Sequence, residues 1–159
     1  MLTRLHPPIA ADERASLNAF LDGARAAIRA SCSGVSDTDA RRIALPGSGL
    51  TLCGAVSHLR WAEATWFEVA LRGERDRAPT QDYLTDPDVP LAQLLDEYDA
   101  QCDLSRAIVA TLSLDTSVAG GGTRYNVRWI LLHMLEETRR LLGLIEAVRE
   151  LVAAGSVTG

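Results

Sequence analysis

Asn126–Ala154 reads NVRWILLHMLEETRRLLGLIEAVRELVAA, the longest uninterrupted helical pattern in the chain. Asn126 suits an N-cap, because its side-chain oxygen can accept from a free N–H of the first turn. Ile130, His133, Met134, Glu137, Leu141, Leu144, Ile145 and Val148 recur at helical spacing and form one wide face. Glu136, Arg139, Arg140, Glu146 and Glu150 fall on the other face, and Gly155 ends the pattern. His133 and Glu137 stand one turn apart on the apolar side. Polar groups there are costly unless they are paired or bind something, so these two residues pose the functional question.

Working outward, three further helices are expected. Residues 10–31 carry the stripe Leu17, Phe20, Leu21, Ala24 and Ile28. Residues 50–72 carry Leu52, Val56, Leu59, Trp66 and Val69, and Gly73 stops them. Residues 90–112 open on Pro90, whose missing N–H does no harm in a first turn. Ser36-Asp37-Thr38-Asp39 reads as the cap of a short helical turn. Pro7 and Pro8 make residues 1–9 an extended arm. Residues 74–88 and 113–125 read as long loops, the second marked by Gly120-Gly121-Gly122. Nothing argues for a strand. Four amphipathic helices in 159 residues predict an all-α four-helix bundle forming one domain over 1–159, with connections long enough for a crossover.

Composition narrows the chemistry. The net charge is −5, with no basic stripe, which argues against nucleic acid as a partner. All 16 basic residues are arginine, so Schiff-base chemistry and a P-loop lysine are absent. Cys32, Cys53 and Cys102 are scattered without CxxC spacing, as in a reduced cytoplasmic protein. MLTRLHPPIAADER has no apolar core of a signal peptide. No apolar run approaches the roughly 20 residues a membrane span needs, so no membrane association is expected.

The histidines are His6, His58 and His133. A His on one helix and a His/Glu pair at i, i+4 on another is how bundles build metal sites. The competing reading is structural: His133 and Glu137 bond along their helix, and His58 is a core histidine satisfied by a backbone carbonyl or Tyr125. Glu63 reads as a rim charge, Trp61, Trp66 and Trp129 as core, and Cys53 as a small buried hydrophobe rather than a nucleophile.

Two stretches carry a resemblance. LCGAVSHLRWAEATWF (Leu52–Phe67) and the RWILLHMLEET core of Val127–Glu146 are similar to signature segments of the DinB/YfiT-like superfamily. PPIAADERASLNAFLDGAR and SDTDARR resemble its actinobacterial branch of uncharacterised members, related to mycothiol-dependent enzymes. The resemblance covers nearly the whole chain in order. It implies a DinB-like four-helix bundle with a central site of one His from the second helix and two ligands at i, i+4 on the fourth. It also implies kinship with metal-dependent S-transferases and isomerases that use small thiols, and dimers formed through bundle faces. His58 and Glu137 match ligand positions. The next position is Leu141 instead of His, and Leu144 stands where a further His is common. Leucine donates no lone pair, so the matching set shrinks to His58 and Glu137, which would hold a metal poorly. His133 could substitute only from a turn earlier, about 6 Å along the axis. The expectation is therefore a degenerate metal site with no cofactor, and a small molecule or protein bound in the former active-site cleft. The alternative is a thiol transferase or isomerase using zinc or nickel on His58, His133 and Glu137. A homodimer through Trp129 or the 74–88 loop fits either reading.

Overall fold

A computed structural model describes residues 7–44, 47–120 and 122–156. Residues 1–6 of the expected arm, and Gly121 of the glycine run, lie outside them. Helix α1 spans Glu13–Cys32, α2 Asp37–Ala40, α3 Leu52–Glu63, α4 Leu91–Ala110 and α5 Val127–Ser156. Helix α3 continues without a break as a π-helical stretch, Ala64–Leu71. The four long helices thus fall where the periodicity places them, and the architecture is all-α.

The starts are set by local chemistry. Asp12 accepts from Ala15 N–H at 2.8 Å, Thr51 from Gly54 N–H at 2.9 Å and Asn126 from Trp129 N–H at 2.8 Å. Pro90 at the start of α4 has no side chain able to cap. The Leu91 N–H is instead satisfied by Asp37 of α2, at 2.7 Å. The short helix α2 therefore caps a long helix more than fifty residues away.

Paired contacts fix the topology. Helices α1 and α5 run parallel, since Glu13 meets Arg128 and Gly23 lies beside Arg139. Helices α3 and α4 run parallel, since Arg60 meets Glu97 and Glu68 meets Gln101. Helices α1 and α4 are antiparallel, with Asp22 on Arg106 and Arg29 on Asp96 and Asp99. Helices α3 and α5 are antiparallel too, with His58 near Glu137 and Trp66 near Trp129. The bundle is up-down-down-up. Helix α5 packs between α1 and α3, and α1 and α3 face each other across the centre. A parallel α3/α4 pair obliges the connection over residues 72–90 to travel back along the bundle, roughly 30 Å at 1.5 Å per helical residue. Gly73, at φ +69°, lets it turn away at once.

One expectation needs correction. Residues 117–126 are not a structureless loop. Ser117–Gly120 and Thr123–Asn126 pair as an antiparallel ribbon, Val118 opposite Tyr125. Four-residue strands beside a glycine run leave no alternation to read. The ribbon leads directly into α5, and Val127 and Arg128 N–H bond back to Thr116 and Leu114.

The core is divided into two levels. One apolar cluster gathers around Ile28, Leu59, Tyr98 and Leu141, the other around Leu21, Phe67, Ile108 and Met134. Between these residues, each long helix contributes one buried polar side chain. These are Arg25, Glu63, Ser105 and Thr138, at 4%, 0%, 0% and 0% exposure. Arg25 binds both oxygens of Glu63, at 2.9 and 2.7 Å, and a third bond goes to Asp22. Burial opposes the Arg25 charge, and attraction and hydrogen bonding from Glu63 outweigh it, so the guanidinium pKa is raised. Glu63 is therefore no rim charge. The π-helical stretch lies immediately after it. A turn closing i→i+5 brings residues five apart onto one face, and Glu63 and Glu68 are both buried. Glu68 is held by Gln101 and Arg77.

Breaking a buried pair strands one charge and costs about 3–5 kcal/mol, whereas replacing both partners by apolar residues is close to neutral. Glu63→Leu is expected to lower unfolding stability by that amount in a urea titration. Glu63→Leu with Arg25→Met should recover most of it.

Candidate functional site

The long return of the 72–90 connection carries it past the first turns of α3. At Gly54 the two backbones come close: a Cβ built there would lie 2.6 Å from the Tyr83 carbonyl oxygen. Only glycine leaves room for that backbone. The connection is also tied to α2 by Arg41, which donates to Thr85 at 3.1 Å and to the Val89 carbonyl. Asp82 and Tyr83 are thereby set against His58, which α3 presents toward α5.

His58 is gripped on three sides. Its Nδ1 lies 2.8 Å from Asp82 Oδ2, and its Nε2 lies 3.2 Å from Glu137 Oε1. The Tyr83 ring stacks on the imidazole at 4.3 Å and 8°. Carboxylates only accept, so both contacts are hydrogen bonds when both ring nitrogens carry protons. Glu137 is also held by Arg140, at 2.6 Å to Oε1 and 3.0 Å to Oε2. The Arg140 bonds, with a smaller contribution from His58, keep the Glu137 carboxyl below its usual pKa against the cost of burial. Arg140 in turn interacts with Tyr83, whose pKa burial pushes up.

The structure brings His58 and Glu137 together and leaves His133 elsewhere. His133 stacks on Trp129, 5.0 Å apart at 7°, and meets the Trp66 edge at 4.7 Å. Tyr125 completes this aromatic cluster; Trp129 is exposed and is no core residue, whereas Trp66 is partly buried and packs against the cluster around Phe67 and Met134. Tyr125 does not satisfy His58, because Asp82 does. Cys53 is fully buried and burial raises its pKa, which suits an inert thiol. Asp82, Tyr83 and Arg140 were not singled out by spacing. Asp82 follows His58 by 24 residues in an irregular segment, where no period links them.

These donors do not fit a metal. A ligating histidine offers one nitrogen and keeps the other for an outer partner. Here Asp82 takes that outer place on Nδ1, so only Nε2 and Glu137 face a common point, too few donors to hold a metal ion. Leu141, one turn beyond Glu137, is 1% exposed and packed in the core. Among the described residues no group of three or more His, Cys, Asp or Glu side chains is placed to hold a metal ion. No helix among them is long and apolar enough to cross a membrane.

Two measurements check this geometry. The lowered Glu137 pKa contributes stability that is present above about 4.5, the ordinary value, and is lost as pH falls through the folded value. Glu137→Gln should flatten the acid limb of the stability curve below that pH. Gly54→Ala should push the Tyr83 backbone off α3, cost about 1–3 kcal/mol, and speed tryptic cleavage at Arg75 and Arg77.

Comparison with known proteins is consistent with this architecture. A crystal structure of a conserved protein from Enterococcus faecalis superposes with a TM-score of 0.72 at 13% identity, covering 91% of this chain and 99% of that one. That likeness concerns the fold. No curated protein matches the chain. The family model described as Mycothiol-S-transferase matches residues 16–154, from the first turn of α1 to the last turns of α5. On that match the chain belongs to the mycothiol-S-transferase family, and with it to the DinB-like superfamily.

Proposed function

We propose that this protein is a family member that has given up metal-centred thiol transfer and binds a small molecule at the position of the former site. The observation that carries this reading is the shortage of donors around His58 among the described residues. Its Nε2 and Glu137 are two, Asp82 sits on the other ring nitrogen as an outer partner, and Tyr83 covers the face of the ring. Leu141 supports it, because a buried leucine supplies no third donor.

In this reading His58, Glu137 and Arg140 form the floor of a binding place, and Asp82 with Tyr83 stand in for the ligand. Both belong to a connection without helix or strand, whose backbone hydrogen bonds within the segment are few. Displacing it costs the Tyr83 stack and the Asp82 bond, and a ligand must exceed that cost to bind. The observed affinity is then reduced by the fraction of molecules with the segment in place. Tyr83→Ala removes part of the competition. It should strengthen binding of small molecules found by a thermal-shift screen, with little change in fold.

Membership of a mycothiol-S-transferase family favours a second reading, in which zinc or nickel on His58, Glu137 and a rearranged His133 activates a small thiol. Elemental analysis and a thiol-transfer assay separate the two. The expected result is no stoichiometric zinc or nickel and no metal-stimulated transfer. About one equivalent of metal, lost in His58→Ala, would establish the second reading instead. Leu141→His approaches the question from the other side. It restores a donor one turn from Glu137, and added zinc should then raise the melting temperature by mass action, an effect absent from the unmodified protein.

A further inference from the structure

Helices α1 and α4 are neighbours that scarcely pack. They are spanned by long ionic side chains: Arg29 to Asp96 and Asp99, and Arg106 to Asp22. Arg14 reaches across to the Val109 and Leu112 carbonyls at the C-terminus of α4, at 3.3 and 2.5 Å. Between these bridges is a cavity of about 350 Å³, at the lower end of the range for small-molecule sites. It lies on a different face from the His58 site.

The lining has a definite character. Its polar side chains are Arg14, Asn18, Asp22, Arg25, Ser105 and Arg106, three cations against one carboxylate. Arg25 and Ser105 belong to the buried polar layer, so the cavity reaches from the surface down to that layer. Glu63 neutralises Arg25 from behind, and Asp22 with Asp103 balances Arg106, which leaves Arg14 as the cation without a carboxylate partner among the described residues. Arg14 and Arg106 each commit two N–H groups to the bonds described here, Arg14 to two carbonyls and Arg106 to Asp22 and Asp103. A guanidinium has five N–H donors, so each retains three. The Asn18 amide makes no hydrogen bond to any described residue. One wall is apolar, formed by Val109, Ala110 and Leu131.

We infer that this cavity binds a small organic acid, its carboxylate received by Arg14, Arg106 and Asn18 and its aliphatic part laid on Val109, Ala110 and Leu131. Guanidinium forks match the two oxygens of a carboxylate. The apolar wall separates this ligand from a simple inorganic anion, which has nothing to place there. The Asp22 carboxylate is bonded by Arg25 and Arg106, which holds Arg106 in place and offsets the charge Asp22 brings to the cavity.

The test titrates the full chain with acetate, succinate and citrate at fixed ionic strength, followed by amide NMR, with sodium phosphate and sodium chloride as controls. Saturable shifts around Arg14, Asn18, Arg106 and Ala110 are expected from at least one acid and from neither control. Ala110 is exposed, so Ala110→Phe should fold normally, fill the cavity and abolish binding. Asn18→Asp replaces a donor by a like charge and should weaken binding about tenfold. Tyr83→Ala should leave it unchanged, which separates this site from the one beside His58. Absence of saturation by every acid, an equal response to phosphate or chloride, or undiminished binding in Ala110→Phe would overturn the inference.

Discussion

The buried bond between Arg25 and Glu63 constrains the whole bundle. Two full charges in a water-excluded core are tolerated only when paired and well oriented. This pair joins α1 to α3 across the centre, where apolar packing alone would allow either helix to slide or rotate. It sets their relative height, and it divides the apolar core into two levels. The π-helical stretch that follows Glu63 fits the same demand. It keeps Glu68 turned inward, where Gln101 and Arg77 satisfy it. The polar layer also explains why α1 and α4 are joined by arginine bridges around a cavity, since Arg25 and Ser105 form the floor there in place of packed apolar side chains.

A second constraint follows from direction. Because α3 and α4 are parallel, the chain must cross the length of the bundle between them. That crossing supplies what neighbours His58. Gly54 admits the backbone, and Asp82 and Tyr83 take up the imidazole from the side opposite Glu137. A metal site would need a further donor beside His58 and Glu137. The neighbouring turn instead carries the apolar Leu141, held in the core. The His58 environment is thus a closed network of charge-assisted bonds with Arg140 at its outer edge.

The local signals in the chain read well. Periodicity and caps placed the four long helices, because the 3.6-residue period and the chemistry of a free first turn are properties of a short segment. Asp12, Ser36, Thr51 and Asn126 cap as their types suggest. The signature segments around His58 and Glu137 were legible as a resemblance, and both side chains do meet. His133 satisfied the same spacing rule and went elsewhere, since an i, i+4 neighbour of Glu137 lies a full turn away along the axis, at the level of Trp66 and Trp129.

By itself, then, the sequence determined an all-α bundle and the course of its four long helices to within a few residues, and through its resemblance it brought His58 and Glu137 together. The tertiary structure alone decided that Glu63 is a core charge, that residues 117–126 form a ribbon, and that Asp82 and Tyr83 close over His58. The physical reason is the range of the forces involved. Helix periodicity and capping are satisfied within a few residues. The partner of a buried charge, and the course of a crossover, depend on which helices lie side by side and in which direction they run.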